Sequence, residues 1–434
     1  VGSDMCIRDS TNNRLSGVTL EGDLELSSSF ATLRISDGLT VNGTITLSGS
    51  SAKLMSDMTQ TIDGTGTIAF TGTTGNGRDL SVEGNTTLTL GADLTVRGGR
   101  GRIGNQTLAG GTNGLINQGT ILADVAGQTL TVDPNGNGAT FSNQGTLTAD
   151  GGILDVNKLT GTLGNATVSN GGTLDVDGAF TTAQERTING STLILRGSWA
   201  NTGTIHVTDS AVTLGGAFSL ADVGTFHRTG GTMTLTGELD NSGETLVLNA
   251  ATGDWIINGG RINNGTLESL DGRSLIVTTN TNNRLSGVTL EGDIDLSSGF
   301  ATLRISDGLT LNGTMTLSGS SARLVSDMTQ TIDGTGTIAF VGTTGAGRDL
   351  SVEGNTTLTL GAELTVRGGR GRIGNQVVAS GTNGLINQGT ILADVVGQTL
   401  TVDPNGSGAT FSNQGTLTVD GGILDVTKLT GTVG

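Results

Sequence analysis

The chain has one cysteine, two prolines, no tyrosine and few aromatic residues of any kind. A single cysteine excludes an internal disulfide framework. Scarce rings exclude a compact core built on large aromatic side chains. No apolar run approaches the ~18 residues that mark a membrane-crossing helix. The N-terminus shows neither the apolar core nor the cleavage site of a signal peptide. Basic residues are also in deficit, with 22 Lys and Arg against 39 Asp and Glu and a net charge of −17. That balance argues against nucleic acid and anionic membrane surfaces as partners, because both require clustered positive charge. The acidity reads as a solubilising coat.

Glycine is abundant instead, at 75 of 434 residues against a usual ~7%. No G-X-Y period accompanies it, so the glycines are expected in turns that need positive φ. Thr, Val, Leu and Ile supply strand-forming residues. They alternate along the chain rather than thin out, which argues against disorder. Stretches such as GVTLEGDLELS, LTVNGTITLSG, TTLTLGADLTVRG and STLILRG all follow period two. TTAQER (181–186) is the one helix-like stretch, and it predicts a single helical turn in a loop.

A short signature organises these strands. LINQGTILAD at Leu115 and FSNQGTLTAD at Phe141 each place Asn before x-Gly-Thr and a strand-like run. The signature returns at Asn170, Asn201, Asn241 and Asn263, so that Asn117, Asn143 and these four define units of roughly 20–30 residues. Asn-Gly pairs at Asn42-Gly43 and Asn189-Gly190 could close hairpins. The regular return of one motif instead predicts an all-β, right-handed, single-stranded parallel β-helix, with the asparagines stacked in a ladder. At ~22 residues and ~4.8 Å per coil, the expectation is roughly 20 coils and a rod of about 95 Å.

A longer repeat contains the shorter one. Residues 11–164 and 281–434 align without gaps, identical at 136 of 154 positions. The organisation is therefore read as a tail (1–10), a first repeat unit (11–280) and a second, truncated unit (281–434) continuous with it. VGSDMCIRDS resembles a translated adaptor sequence and is expected to be foreign to the repeat. The chain stops in mid-unit, as expected of a fragment of a longer protein. Leu24/Ile294, Val41/Leu311, Ile45/Met315 and Met55/Val325 exchange one aliphatic for another between copies, as inward positions should. Lys53/Arg323 and Asp93/Glu363 keep their charge.

Few motifs carry chemistry. GRGRIG (99–104, repeated at 369–374) fits the dinucleotide pattern literally, but no helix-forming segment follows it. Its arginines Arg100 and Arg102, with Arg97 just upstream, could grip an acidic glycan or phosphate; a solvated loop is the plainer expectation. DPNGNG offers Asp133, Asn135 and Asn137 in calcium-loop spacing, yet Gln144 stands where the bidentate Glu belongs. The second copy has Asp403, Asn405 and Ser407, and a tight turn explains both. His206 and His227 lie one coil apart and are expected to stack, without a third metal ligand. No segment pairs carboxylates, or a nucleophile with a histidine, in a recognisable catalytic arrangement. No catalytic, cofactor or metal residue is therefore assigned.

The N-x-G-T-L…G-G-x-L-x-V pattern, seen as SNQGTLTADGGILDV (142–156) and SNGGTLDVDGAF (169–180), resembles the repeats of large exported bacterial adhesins. The class is that of filamentous haemagglutinins and autotransporter passengers, and the resemblance spans nearly all of 11–434. It implies secretion across a Gram-negative envelope with an outer-membrane partner, an extracellular or cell-surface location, and a non-catalytic stalk or adhesive surface. Partners would be surface glycans or proteins, or other copies in a biofilm, with no small-molecule cofactor. The alternatives are a carbohydrate-active β-helix, such as a polysaccharide lyase, and ice or crystal-surface binding through Thr44/Thr46, Thr65/Thr67 and Thr87/Thr89. The last requires those threonines to form one flat, in-register array.

Overall fold

A computed structural model describes residues 5–6, 13–72, 75, 77–342, 345 and 347–431. Apart from Met5–Cys6, which pair in parallel with Leu24–Glu25, the N-terminal tail lies outside the described residues. The chain is an all-β, single-stranded parallel β-solenoid of about 18 turns. Every strand pairing between described residues in the two large bodies is parallel, as in Ile45↔Ile68 and Leu88↔Leu115. The hairpin reading of Asn42-Gly43 therefore fails. These residues form a corner between Thr32–Val41 and Thr44–Leu47, which belong to different sheets. No helix among the described residues is long and apolar enough to cross a membrane.

The chain separates into two compact units, Val1–Gly216 with Ala221–Gly231, and Ala217–Leu220 with Thr232–Gly434. In the first unit each coil has three straight segments. Long strands such as Thr32–Val41 and Thr173–Thr182 supply two of them. They turn at residues with positive φ, Asp37-Gly38 in the first case and Gly178 in the second. The third segment is a short strand in an 11-stranded sheet that includes Thr44–Leu47, Thr67–Phe70, Thr95–Gly98, Thr120–Ala123 and Thr146–Asp150.

Register explains the composition. On the third face, Ile45, Ile68, Val96, Ile121 and Leu147 pair in succession and are fully buried. Each such side chain contributes roughly 1.5–3 kcal/mol by leaving water. One residue earlier, Thr44, Thr67, Thr95, Thr120 and Thr146 form an outward column on the same strands. Period-two alternation thus becomes an aliphatic stack inside and a threonine column outside. Stacked aliphatics fill a narrow interior without large rings, so the low aromatic content suits the fold.

The coil count is lower than the sequence estimate because coils differ in length. Leu147 meets Ala166, 19 residues on, whereas Ile68 meets Val96, 28 residues on. Side loops at the corners account for the longer coils. The second unit repeats the pattern, and residues 302–311, 314–317 and 337–340 match the strands 32–41, 44–47 and 67–70. All eight exchanged aliphatics named above are buried, while Asp93 and Glu363 are exposed.

Two local expectations are corrected. TTAQER is not helical: Thr181 and Thr182 end one strand, and Arg186 begins the next. Arg186 is buried and donates to the carbonyls of Ala166 and Gly164 in the coil before and to the Thr182 hydroxyl in its own, so it ties two adjacent coils together. The helix that does form is one turn, Leu220–Val223. The asparagine ladder is also shorter than expected. Asn117 and Asn143 pair in register, and the Asn117 amide donates to Asn143 Oδ1 at 2.8 Å. Asn201 pairs with Thr182, and Asn170 sits in an exposed turn at φ 52°. In the second unit, Asn241 is buried and donates to the Thr266 carbonyl, whereas Asn263 pairs with Asp240 and Ser286. The shared motif serves different corners of the coil.

Candidate functional site

The glycine-rich GRGRIG segment shapes the most distinctive surface. It is not a protruding loop, since Gly101–Ile103 forms a strand directly after the turn at Gly99-Arg100. A Cβ on Gly101 would lie 2.5 Å from the Phe70 ring, so this glycine admits the aromatic ring of the coil before. Phosphate binding plays no part in that requirement. Gly371 stands against Phe340 in the same way.

The arginines divide into distinct roles. Arg97 pairs with Asp124, through Nε at 2.7 Å. Arg102 donates from Nε and Nη2 to the buried Asp79, at 2.7 and 3.1 Å. Arg100 has a left-handed backbone (φ 53°), is exposed, and donates to the Gly75 carbonyl. Beside it lies Arg78, whose buried guanidinium donates to the Ser48 carbonyl at 2.8 Å. Burial, and then the Arg100 charge, hold the Arg78 pKa below its usual value. Arg100 and Arg102 border a shallow concavity of about 340 Å³, and Arg370 and Arg372 border its counterpart of about 390 Å³.

DPNGNG is a turn whose polar groups diverge. Asp133 pairs with Lys158 at 3.1 Å, and Asn135 Oδ1 accepts from the backbone N–H of Gln106 at 2.6 Å. The Asn137 carbonyl accepts from Thr112. Gly136 and Gly138 take positive φ, which is the backbone need that selects glycine there. In the second copy Asp403 is held by Thr427 and Lys428, which lower its pKa, and Asn405 accepts from Gln376.

His206 and His227 pair in register and stack with ring centroids 5.1 Å apart. Glu185 lies 2.9 Å from His206 Nε2. No group of three or more His, Cys, Asp or Glu side chains that could hold a metal occurs among the described residues. The threonines form a single in-register column on the third face. The column two residues on reads Thr46, Ala69, Arg97, Leu122 and Thr148, so the flat threonine array that ice or crystal-surface binding requires does not form there. Thr87 and Thr89 lie in another sheet.

Two arrangements escape a reading of the sequence alone. Asp155 and Asp175 stand in register on adjacent coils. Burial raises both pKa values, that of Asp175 to about 6 despite Arg196 at 2.7 Å; Asp133 adds to the rise at Asp155, and Asp155 and Asp177 add to that at Asp175. The repeated GGILDV and GGTLDV, one coil apart, were the available signal. Glu83 is the second case. Burial alone would raise its pKa, but the amides of Ala109, Leu108 and Thr107 and the Thr107 hydroxyl outweigh this and lower it. The carboxylate thereby anchors a side loop that exposes Leu108. In the second copy Glu353 binds three consecutive amides at Val377, Val378 and Ala379.

The protein thus belongs to the parallel β-solenoids by architecture. Comparison with protein-family models, curated proteins and solved structures gave no match.

Proposed function

We propose that this chain is a non-catalytic scaffold segment of a surface-displayed bacterial adhesin, in which stacked coils carry contact surfaces outward. The observation that supports this most is repetition. A 154-residue stretch recurs at near identity, and residues 32–143 and 302–413 build matching strands. Duplicating a surface raises avidity without any new contact chemistry. The partners are extracellular glycans or proteins, or further copies of the same chain. The test is attachment of the purified chain, coated on beads, to glycan-bearing, protein-bearing and self-coated surfaces under flow. Retention on one of them above an albumin-coated control is the expected outcome. Retention on none defeats the adhesive reading.

A second reading, as a carbohydrate-active β-helix, is favoured by one observation, the stacked Asp155–Asp175 pair with its raised pKa values. Paired carboxylates with raised pKa values suit acid–base work on a glycosidic bond. Release of reducing ends or unsaturated products from polysaccharides, abolished by Asp175→Asn, would replace the first reading with this one.

A further inference from the structure

We propose that the concavity bordered by Arg100 and Arg102, and its counterpart at Arg370 and Arg372, is an oxyanion site for a carboxylate or sulfate group of an acidic glycan. The proposal deepens the adhesive reading and rests on it.

Three observations carry it. The first is the backbone of Arg100. A left-handed conformation is unfavourable for a residue with a side chain, and the turns of the coils before and after place Gly75 and Gly127 at positive φ. Arginine stands in this turn where glycine would fit without strain, and such strain persists where a side chain has a use. Arg370 adopts the same φ of 53° in the second copy. The second observation is the lining. Gly77, Arg100, Arg102, Gln128, Thr129 and Thr131 contribute amide, hydroxyl and guanidinium groups, and no carboxylate is among the described lining residues. In a chain of net charge −17 this is an inverted patch.

The third is local charge. Asp79 takes the Nε and Nη2 edge of Arg102 and fixes the plane of its guanidinium. Arg78, buried and donating to the Ser48 carbonyl, lies near enough to Arg100 that burial and then the Arg100 charge lower its pKa, so positive charge gathers on this side of the concavity. An oxyanion between Arg100 and Arg102 would ease that repulsion. The Arg102 Nη1 and the Arg100 hydrogens beyond the one given to Gly75 supply the charge-assisted donors that carboxylate or sulfate oxygens take. The concavity has the size of small-ligand sites, at the lower end of the ~300–1,000 Å³ range. It suits one sugar unit of a longer chain, with Gln128 and the threonines meeting hydroxyls. Two copies of the site in one polypeptide double the number of contacts it offers to polyanionic glycans.

The test is calorimetric titration of the full chain with oligogalacturonate, with a sulfated oligosaccharide and with neutral maltohexaose. The expected result is salt-sensitive binding of at least one charged probe and none of maltohexaose. Binding should weaken at least tenfold in R100Q/R370Q, whereas R97Q/R367Q, whose guanidiniums pair with Asp124 and Asp394 away from the lining, should bind normally. Circular dichroism melting curves of both variants establish that they fold. The two charged probes separate carboxylate from sulfate recognition. Equal binding by the chain and R100Q/R370Q, or binding of neither charged probe at millimolar concentration, overturns the site. If R100Q/R370Q still attaches to surfaces under flow as the unaltered chain does, the site is wrong and the adhesive reading stands.

Discussion

At the residue scale, glycine does several jobs that composition alone cannot separate. Gly136 and Gly138 supply positive φ, whereas Gly101 makes room for Phe70. A motif search groups Gly101 with phosphate-binding glycines, but its neighbour in space is a ring. Gly101→Ala should therefore destabilise the chain by roughly 1–3 kcal/mol through overpacking. Thermal melting of the variant should show it, and unchanged melting would show that Phe70 can retreat at no cost. Asparagine is equally divided. Asn117 and Asn143 make a two-rung ladder because both reach a buried corner on adjacent coils, where Ile62 and Leu90 hold the same column in the coils before. Asn170 carries the same sequence signature and instead supplies a left-handed turn. The signature reports that a corner is present and leaves open which one.

At the element scale, a strand gains its partner one coil away, so side chains widely separated in sequence share a local field. Asp155 and Asp175 are the clearest case. Between about pH 4 and pH 6 the folded chain binds the Asp175 proton more tightly than an unfolded chain does, given its pKa of about 6. Stability from this group therefore rises as pH falls through that window, and its ionised form is a cost at neutral pH. Asp175→Asn should raise the melting temperature at pH 7, by an amount equivalent to about 1 kcal/mol once solvent screening is allowed for. The advantage should vanish near pH 4. An equal effect at both pH values would assign it to something other than titration. Asp327 works in the opposite direction in the second unit. Burial would raise its pKa, but Arg284 and Arg304, themselves in register, outweigh this and lower it.

At the scale of the whole molecule, a solenoid is held by contacts between neighbouring coils, so its parts are separable in a way a globular core is not. In the first unit, Thr120 and Thr146 occupy equivalent places on successive coils. Deleting residues 120–145 removes one complete coil and joins equivalent positions. Such a chain should retain β-sheet circular dichroism and a cooperative melt. Deleting only residues 120–132 joins positions that belong to different faces and should abolish the transition. If both deletions behave alike, coil register is not what holds the unit together.

The solenoid was legible in the sequence because each coil obeys the same physics. Period-two alternation, abundant turn glycine and scarce rings all suit a narrow interior filled by stacked aliphatics such as Ile45, Ile68 and Val96. Aliphatic exchanges between the copies, Ile45/Met315 among them, marked inward positions without any structure. The one-coil spacing of His206 and His227 was likewise enough to stack them. Sites were not legible, because chemistry here depends on register between coils of unequal length. Whether Asp155 faces Asp175, whether Arg100 lies beside Arg78, and whether Asp133 meets Lys158 are settled by loop lengths that vary from coil to coil. Local pattern determined what each strand buries; only tertiary stacking decided which side chains became neighbours.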